Sequence, residues 1–227
     1  SFLSKDVWGT DVARYGIDVW MTTTAINEGY KVCQSFLGAK IHDAKDPGKD
    51  LGPMFKQVVG TLFHLMIDYE SHWKEVTGTK PTAIYGFRSE ASPEPVALDP
   101  EVLIDRFRKG IRENRDYWLT FLPPGRVKQL EEVAKLPLDG FHLPQELWVK
   151  TVYDFAVAYR QNKAAPPEVR DRLVASLVPI YFGRTVSFVV ETEGMPTYEA
   201  EEVIERLCDE AEKLKPYLLE RWSSIGK

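Results

Sequence analysis

Apolar residues recur three and four positions apart over most of this chain, which predicts a protein built chiefly of helices. Ile17, Trp20, Met21 and Thr24 fall at helical spacing over residues 17–28. Gly29 stands where a left-handed cap would end that helix. The run Thr22-Thr23-Thr24 favours helix poorly, so tertiary contacts must support it. The period then changes. Over residues 31–41, Val32 and Phe36 point one way and Cys33, Ser35 and Leu37 the other, which predicts one or two strands with Gly38 as a bulge or bend. "HDAKDPGKD" follows as a polar loop that ends at Pro47-Gly48.

From about Asp50 the helical period returns. Phe55, Val58, Val59, Leu62, Leu65, Met66, Tyr69 and Trp73 make a stripe wide enough to face a core. The stretch "TGTKPTAIYGFRSEASPEPVALDP" carries four prolines and reads as a long linker. Asp99-Pro100 has the chemistry of a helix start, Asp as N-cap and Pro in the first turn. Leu103, Phe107, Ile111 and Trp118 form the stripe of that helix. A shorter helix follows Pro123-Pro124-Gly125 through Val127, Leu130 and Val133. Pro144 opens another, with Trp148, Val152, Phe155 and Tyr159 inward. Pro166-Pro167 opens a helix that is apolar on most sides, which puts it at the centre of a bundle with a kink at Pro179. Pro196 opens the last helix, with Val203, Leu207, Ala211, Leu214 and Leu218 inward and Pro216 bending or dividing it. The expected organisation is a small mixed α/β piece over residues 1–48 and an α-helical body over 49–227.

Composition narrows the function classes. The 227 residues carry a net charge of -5 and no basic stripe, so no nucleic-acid partner is expected. No uninterrupted apolar run approaches the roughly 20 residues of a membrane span. The N-terminus lacks the charged and apolar regions of a signal peptide. Cys33 and Cys208 lie far apart and make no metal pair or disulfide framework, which fits a cytoplasmic protein. The chain opens on Ser1 without an initiating Met, and it is expected to be a piece of a longer protein.

His42 is the sharpest chemical feature. It ends the apolar strand "GAKIH" and begins the polar loop. A strand end holds an imidazole rigidly, and Asp43 and Asp46 close by would suit Mn²⁺ or Mg²⁺ better than a soft metal. By spacing alone, a surface histidine in a polar loop ranks ahead, since one imidazole makes no cluster. Asp18 lies in the first turn of its helix, where dipole stabilisation alone accounts for it; the functional alternative is a carboxylate offered to a substrate hydroxyl. His64 and His72 lack the spacing of a two-histidine metal site, and they read as core-edge and surface residues. His142 reads as structural. The acidic run "EAEEVIERLCDEAEK" reads as a solvated helix face. Arg184 and Ser187 sit in "GRTVS", which is no nucleophile elbow, and no dinucleotide or Walker fingerprint occurs.

"YGIDVWMTTTAINEG" (Tyr15 to Gly29), the strand "KVCQSFLGAKIH" and the helix "LGPMFKQVVGTLFHLM" together resemble the second half of the GT-A-fold glycosyltransferases that make glucosyl- or mannosylglycerate and their phosphoglycerate precursors. The resemblance covers roughly residues 12–70 and extends more weakly over "LVPIYFGRTVSFVVETEGMPTYEAEEVI". It implies a GT-A remnant followed by a helical domain, and retaining transfer of a sugar from a nucleotide sugar to glycerate or a phosphoglycerate-like acceptor. It implies His42 as a ligand of the divalent ion, Mg²⁺ or Mn²⁺, that bridges the donor diphosphate. Asp18 is placed near the sugar or acceptor hydroxyls, with Thr22 beside it. Asp43 stands where the family commonly has Arg after the metal His, so Lys40 and Lys45 are expected to balance the anionic acceptor. The nucleotide-binding half and its Asp-x-Asp motif do not precede Tyr15. The resemblance therefore implies the C-terminal part of a longer enzyme, inactive alone, that partners the missing GT-A half and forms a homodimer contact through its helices. The rival expectation is a helical interaction or dimerisation module without catalysis. A free-standing metal hydrolase needs at least two more ligands than the sequence offers.

Overall fold

The computed structural model describes residues 2–37, 47–87 and 98–225. Within these residues the protein is mainly helical, with only two short parallel strands. Contacts divide it into two compact units, Ser1–Leu98 and Asp99–Lys227.

The first unit contains helices α1 (Ile17–Asn27), α2 (Pro47–Asp68) and α3 (Glu70–Glu75) and strands β1 (Gln34–Ser35) and β2 (Ile84–Tyr85). Its core joins Val12, Trp20 and Leu65, with Phe2, Val7, Ile17 and Tyr69 packed around them. The edges of Phe2 and Trp8 meet the indole of Trp20 at centroid distances of 5.5 and 6.1 Å. These contacts supply the tertiary support that the threonine run requires. Gly29 follows α1 at φ +79°, and the Tyr30 amide donates back to the Ala25 carbonyl at 2.9 Å, closing the helix as expected. Helix α2 packs on α1, so the contacts divide the chain after Leu98, whereas the sequence reading ended its first part near residue 48. Phe63, outside the expected stripe, is the most deeply buried side chain of α2, while Val58, Val59 and Leu62 are only half-buried.

The alternation over residues 31–37 yields only the two residues of β1. Their partner β2 lies in the stretch that reads as a linker. The two strands run parallel, Gln34 opposite Ile84 and Ser35 opposite Tyr85. Sequence gave β2 no announcement because two residues are too few to show a period.

The second unit contains α4 (Pro100–Trp118), α5 (Pro124–Ala134), α6 (Gln145–Gln161), α7 (Pro167–Glu191), α8 (Thr197–Lys213) and α9 (Lys215–Ser223). The Asp99 carboxylate accepts from the Glu101 and Val102 amides at 3.0 and 3.3 Å, as an N-cap should. Leu103, Phe107, Ile111 and Trp118 are all buried. On α6, Phe155 and Tyr159 are buried, but Trp148 and Val152 are half-buried and Leu147 and Val149 take the inner places. Helix α7 packs against both α4 and α6 and buries residues on most sides. By length and composition it could cross a membrane, although charged residues interrupt its apolar run, and 56% of its most apolar window is buried. Packing against two helices already accounts for its apolar character. The expected last helix is two, parted at Leu214, with Pro216 in the first turn of α9 where its missing amide costs no bond.

Candidate functional site

The approach to α1 is tightly held. Thr10 caps a 3₁₀ turn, Asp11–Ala13, its hydroxyl accepting from the Val12 amide at 3.3 Å. The Asp11 carbonyl then accepts from the Arg14 and Gly16 amides. At Gly16 a Cβ would lie 2.2 Å from Thr61 Oγ1 and 2.9 Å from the Asp11 carbonyl, so only glycine lets α1 start so close to α2. The Tyr15 amide donates to Gln57 Oε1 at 3.3 Å and adds a second tie to α2. At the far end Lys5 and Glu28 pair at 2.5 Å, and the hydrogen bond to Glu28 raises the Lys5 ammonium above its ordinary value.

Two of the expected site residues lie on this helix. Asp18 and Thr22 are exposed one turn apart on one face, while Trp20 and Thr24 are buried on the opposite face. Asp18 occupies the first turn, where the amides of the helix N-terminus favour a carboxylate. Lys40, His42 and Lys45 lie outside the described residues, as do Asp43 and Asp46. The structure thus places Asp18 and Thr22 together and leaves the other three site residues unplaced. Among the described residues no three His, Cys, Asp or Glu side chains gather as a metal site.

The other histidines separate as follows. His64, expected at the core edge, is exposed, and its Nε2 lies 3.6 Å from Asp68 Oδ2 one turn on. It falls in the gap between the buried Thr61 and Leu65 on one side of α2 and the buried Phe63 on the other. His72 is exposed, as expected. His142 Nδ1 lies 3.2 Å from Glu191 Oε1, and Glu191 also takes a two-pronged contact from the buried Arg184, at 3.2 and 2.9 Å. Ser187 is fully buried and its hydroxyl accepts from the Leu143 amide at 2.5 Å, which makes it a structural link to the start of α6.

One cluster escaped the sequence reading. Asp154 on α6 is buried at a point where α5 and α9 meet that helix. Arg126 Nε reaches its Oδ2 at 3.3 Å, and Arg221 Nε reaches Oδ1 at 3.1 Å. The Tyr217 hydroxyl donates to Oδ1 at 2.6 Å. Burial first, then the hydrogen bond and charge of Asp154, push the Tyr217 phenol above its ordinary value. A signal was present: "TVYDFAVAY" sets one carboxylate in the apolar heart of a helix, where a charge persists only with partners. Both Asp154 oxygens are taken by Arg126, Arg221 and Tyr217, and the chemistry of the cluster is that of a fastening.

No protein-family model, curated protein or solved structure matches this chain. What the described residues define is a mainly helical protein in two compact units, one of which displays Asp18 and Thr22.

Proposed function

We propose that the chain is the C-terminal part of a metal-dependent, retaining glycosyltransferase of the GT-A fold, acting from a nucleotide sugar on glycerate or a phosphoglycerate-like acceptor. The reading rests on the resemblance over residues 12–70. The observation that carries it is the exposed pair Asp18 and Thr22, held on one face of a helix whose entry is fixed by Gly16 and Thr61. A site group needs such a rigid support. The donor set of His42 with nearby carboxylates has the chemistry of a site for Mg²⁺ or Mn²⁺, with a further ligand from the nucleotide-binding half. Bound there, the ion would neutralise charge on the departing diphosphate. Asp18 accepts hydrogen bonds from sugar or acceptor hydroxyls, and Thr22 contributes a hydroxyl beside it. Lys40 and Lys45 offset the charge of the acceptor and of Asp43. The protein belongs in the cytoplasm, where its two exposed thiols, Cys33 and Cys208, stay reduced. Activity needs the nucleotide-binding half, and the helices provide a homodimer contact.

The test uses the full-length protein. His42→Ala should lower divalent-dependent transfer from a nucleotide sugar by at least about 100-fold, since even outer-shell partners of a metal cost 10–100-fold. Transfer that continues at the parent rate removes His42 from the mechanism.

A second reading, an interaction module without catalysis, is favoured by the sheet. Parallel strands are ordinarily covered on both faces, and a two-stranded sheet is marginal by itself. Here all four strand residues are exposed, with Leu37 and Phe87 beside them at 92% and 96%. Light scattering separates the readings: a stable dimer indifferent to Mn²⁺ and nucleotide sugars favours the module.

A further inference from the structure

The helical unit carries a groove of about 450 Å³ between α4 and α5, within the size range of small-molecule sites. Arg108, Arg112 and Arg115 line it from α4 at positions i, i+4 and i+7, so they share one face. Lys135, just past the end of α5, adds a fourth cation, against Glu131 as the one carboxylate of the lining. In a chain of net charge -5 this is a local inversion of sign.

The four cations are not equally matched. Arg115 Nε pairs with Glu131 at 2.8 Å and its Nη1 with Asp116 at 2.9 Å. Lys135 pairs with Glu132 at 2.8 Å. Arg108 instead donates to two neutral acceptors, the carbonyls of Ala134 at 3.0 Å and Leu136 at 2.7 Å. Its nearest carboxylate, Asp105, stands 3.7 Å away with its side chain 80% exposed. Arg112 is exposed and makes no hydrogen bond or ion pair among the described residues. Arg112 thus stands one turn from Arg108 with no carboxylate paired to it among the described residues. The carbonyl bonds at the end of α5 take the Nε proton and one Nη2 proton of Arg108 and fix its guanidinium in place, so that the Nη1 side, shared only with the distant Asp105, is pre-oriented to meet an anion.

We propose that this groove binds a small phosphate-bearing ligand, its phosphate seated between Arg108 and Arg112. A phosphate presents several acceptor oxygens and about two charges to the free fork of Arg112 and the remaining N–H groups of Arg108. The buried Ile111 and the half-buried Ala134 give an apolar floor for the carbon part of an organic phosphate. The proposal is independent of glycosyl transfer. It is tested on the full chain by titration calorimetry at constant ionic strength, with inorganic phosphate, glycerol phosphate and glycerol as probes. Both phosphates should bind saturably at about 1 mM or below, and glycerol should not bind. Arg112→Ala should weaken phosphate binding about tenfold, the loss of one charge-assisted contact, with an unchanged circular dichroism spectrum. Arg206→Ala, an exposed charge on α8, should leave it unchanged. Tighter binding of glycerol phosphate identifies an organic monoester as the ligand, and equal affinity identifies the free ion; both support the site. No saturable binding up to about 10 mM, full binding by Arg112→Ala, or an equal loss in Arg206→Ala overturns it.

Discussion

Asp154 ties α6 to two other helices of the second unit through its own carboxylate. Its two oxygens receive groups from α5 and α9, and no water reaches them. Removing the carboxylate leaves Arg126, itself 9% exposed, as a buried charge without its partner. Breaking a buried pair from one side costs about 3–5 kcal/mol. Asp154→Ala should therefore lose about that much stability in denaturant unfolding. Arg221→Ala should lose less, because the Arg221 side chain is 33% exposed and water replaces part of its interaction. Equal losses in the two variants would mean that burial of the arginine is not the source of the cost. The same residue shows the limit of reading a sequence one helix at a time. Arg126, Asp154 and Tyr217 are 28 and 63 positions apart, and no local pattern joins them. His64 failed for a related reason: its environment depends on which side of α2 is covered, and the stripe chosen missed Phe63.

At the scale of elements, starts and stops were the legible part. Asp99, Pro124, Pro144, Pro167 and Pro196 each lie at or beside a helix start, because capping and a locked φ act within a few residues. The strand pair was not legible, since its partner residues depend on a contact some fifty positions along the chain. Crossing geometry is also invisible in a period. Helices α4 and α7 approach so closely that a Cβ on Gly110 would lie 2.1 Å from Cβ of Pro179. Gly110→Ala gains about 1 kcal/mol in helix propensity, but overpacking of a tight core costs about 1–3 kcal/mol. The substitution should thus destabilise the protein or at best leave it unchanged. Gly125→Ala, in the first turn of α5 with nothing within 4 Å of the new atom, should be neutral or stabilising. Urea midpoints of the two variants check the contrast, and a stabilised Gly110→Ala would show that the α4–α7 contact can open at little cost.

For the whole molecule, the division after Leu98 carries a consequence for alkaline pH. Tyr117, Tyr153, Tyr181 and Tyr217 all belong to the second unit, and burial raises each phenol above the ordinary 10.0. Tyr153 goes furthest, to about 12, with its hydroxyl donating to the Ala211 carbonyl at 2.7 Å. The neutral phenol is the form that the fold accepts. Below pH 10.0 both folded and unfolded chains hold these protons, so stability does not depend on them. Between 10.0 and about 12 the unfolded chain ionises first, and stability falls as pH rises through that window. A chain of residues 99–227 should fold by itself, since its core is made from its own six helices. It should also reproduce the alkaline decline of the full chain, with Tyr153→Phe reducing the slope in both. Tyrosinate absorbance and helical circular dichroism, followed together from pH 9 to 12, give the comparison. A fragment that stays unfolded at neutral pH would overturn the independence of the second unit, and a decline carried by the full chain alone would place the alkaline weakness in the first unit, where Lys5 pairs with Glu28 and Lys74 with Glu70.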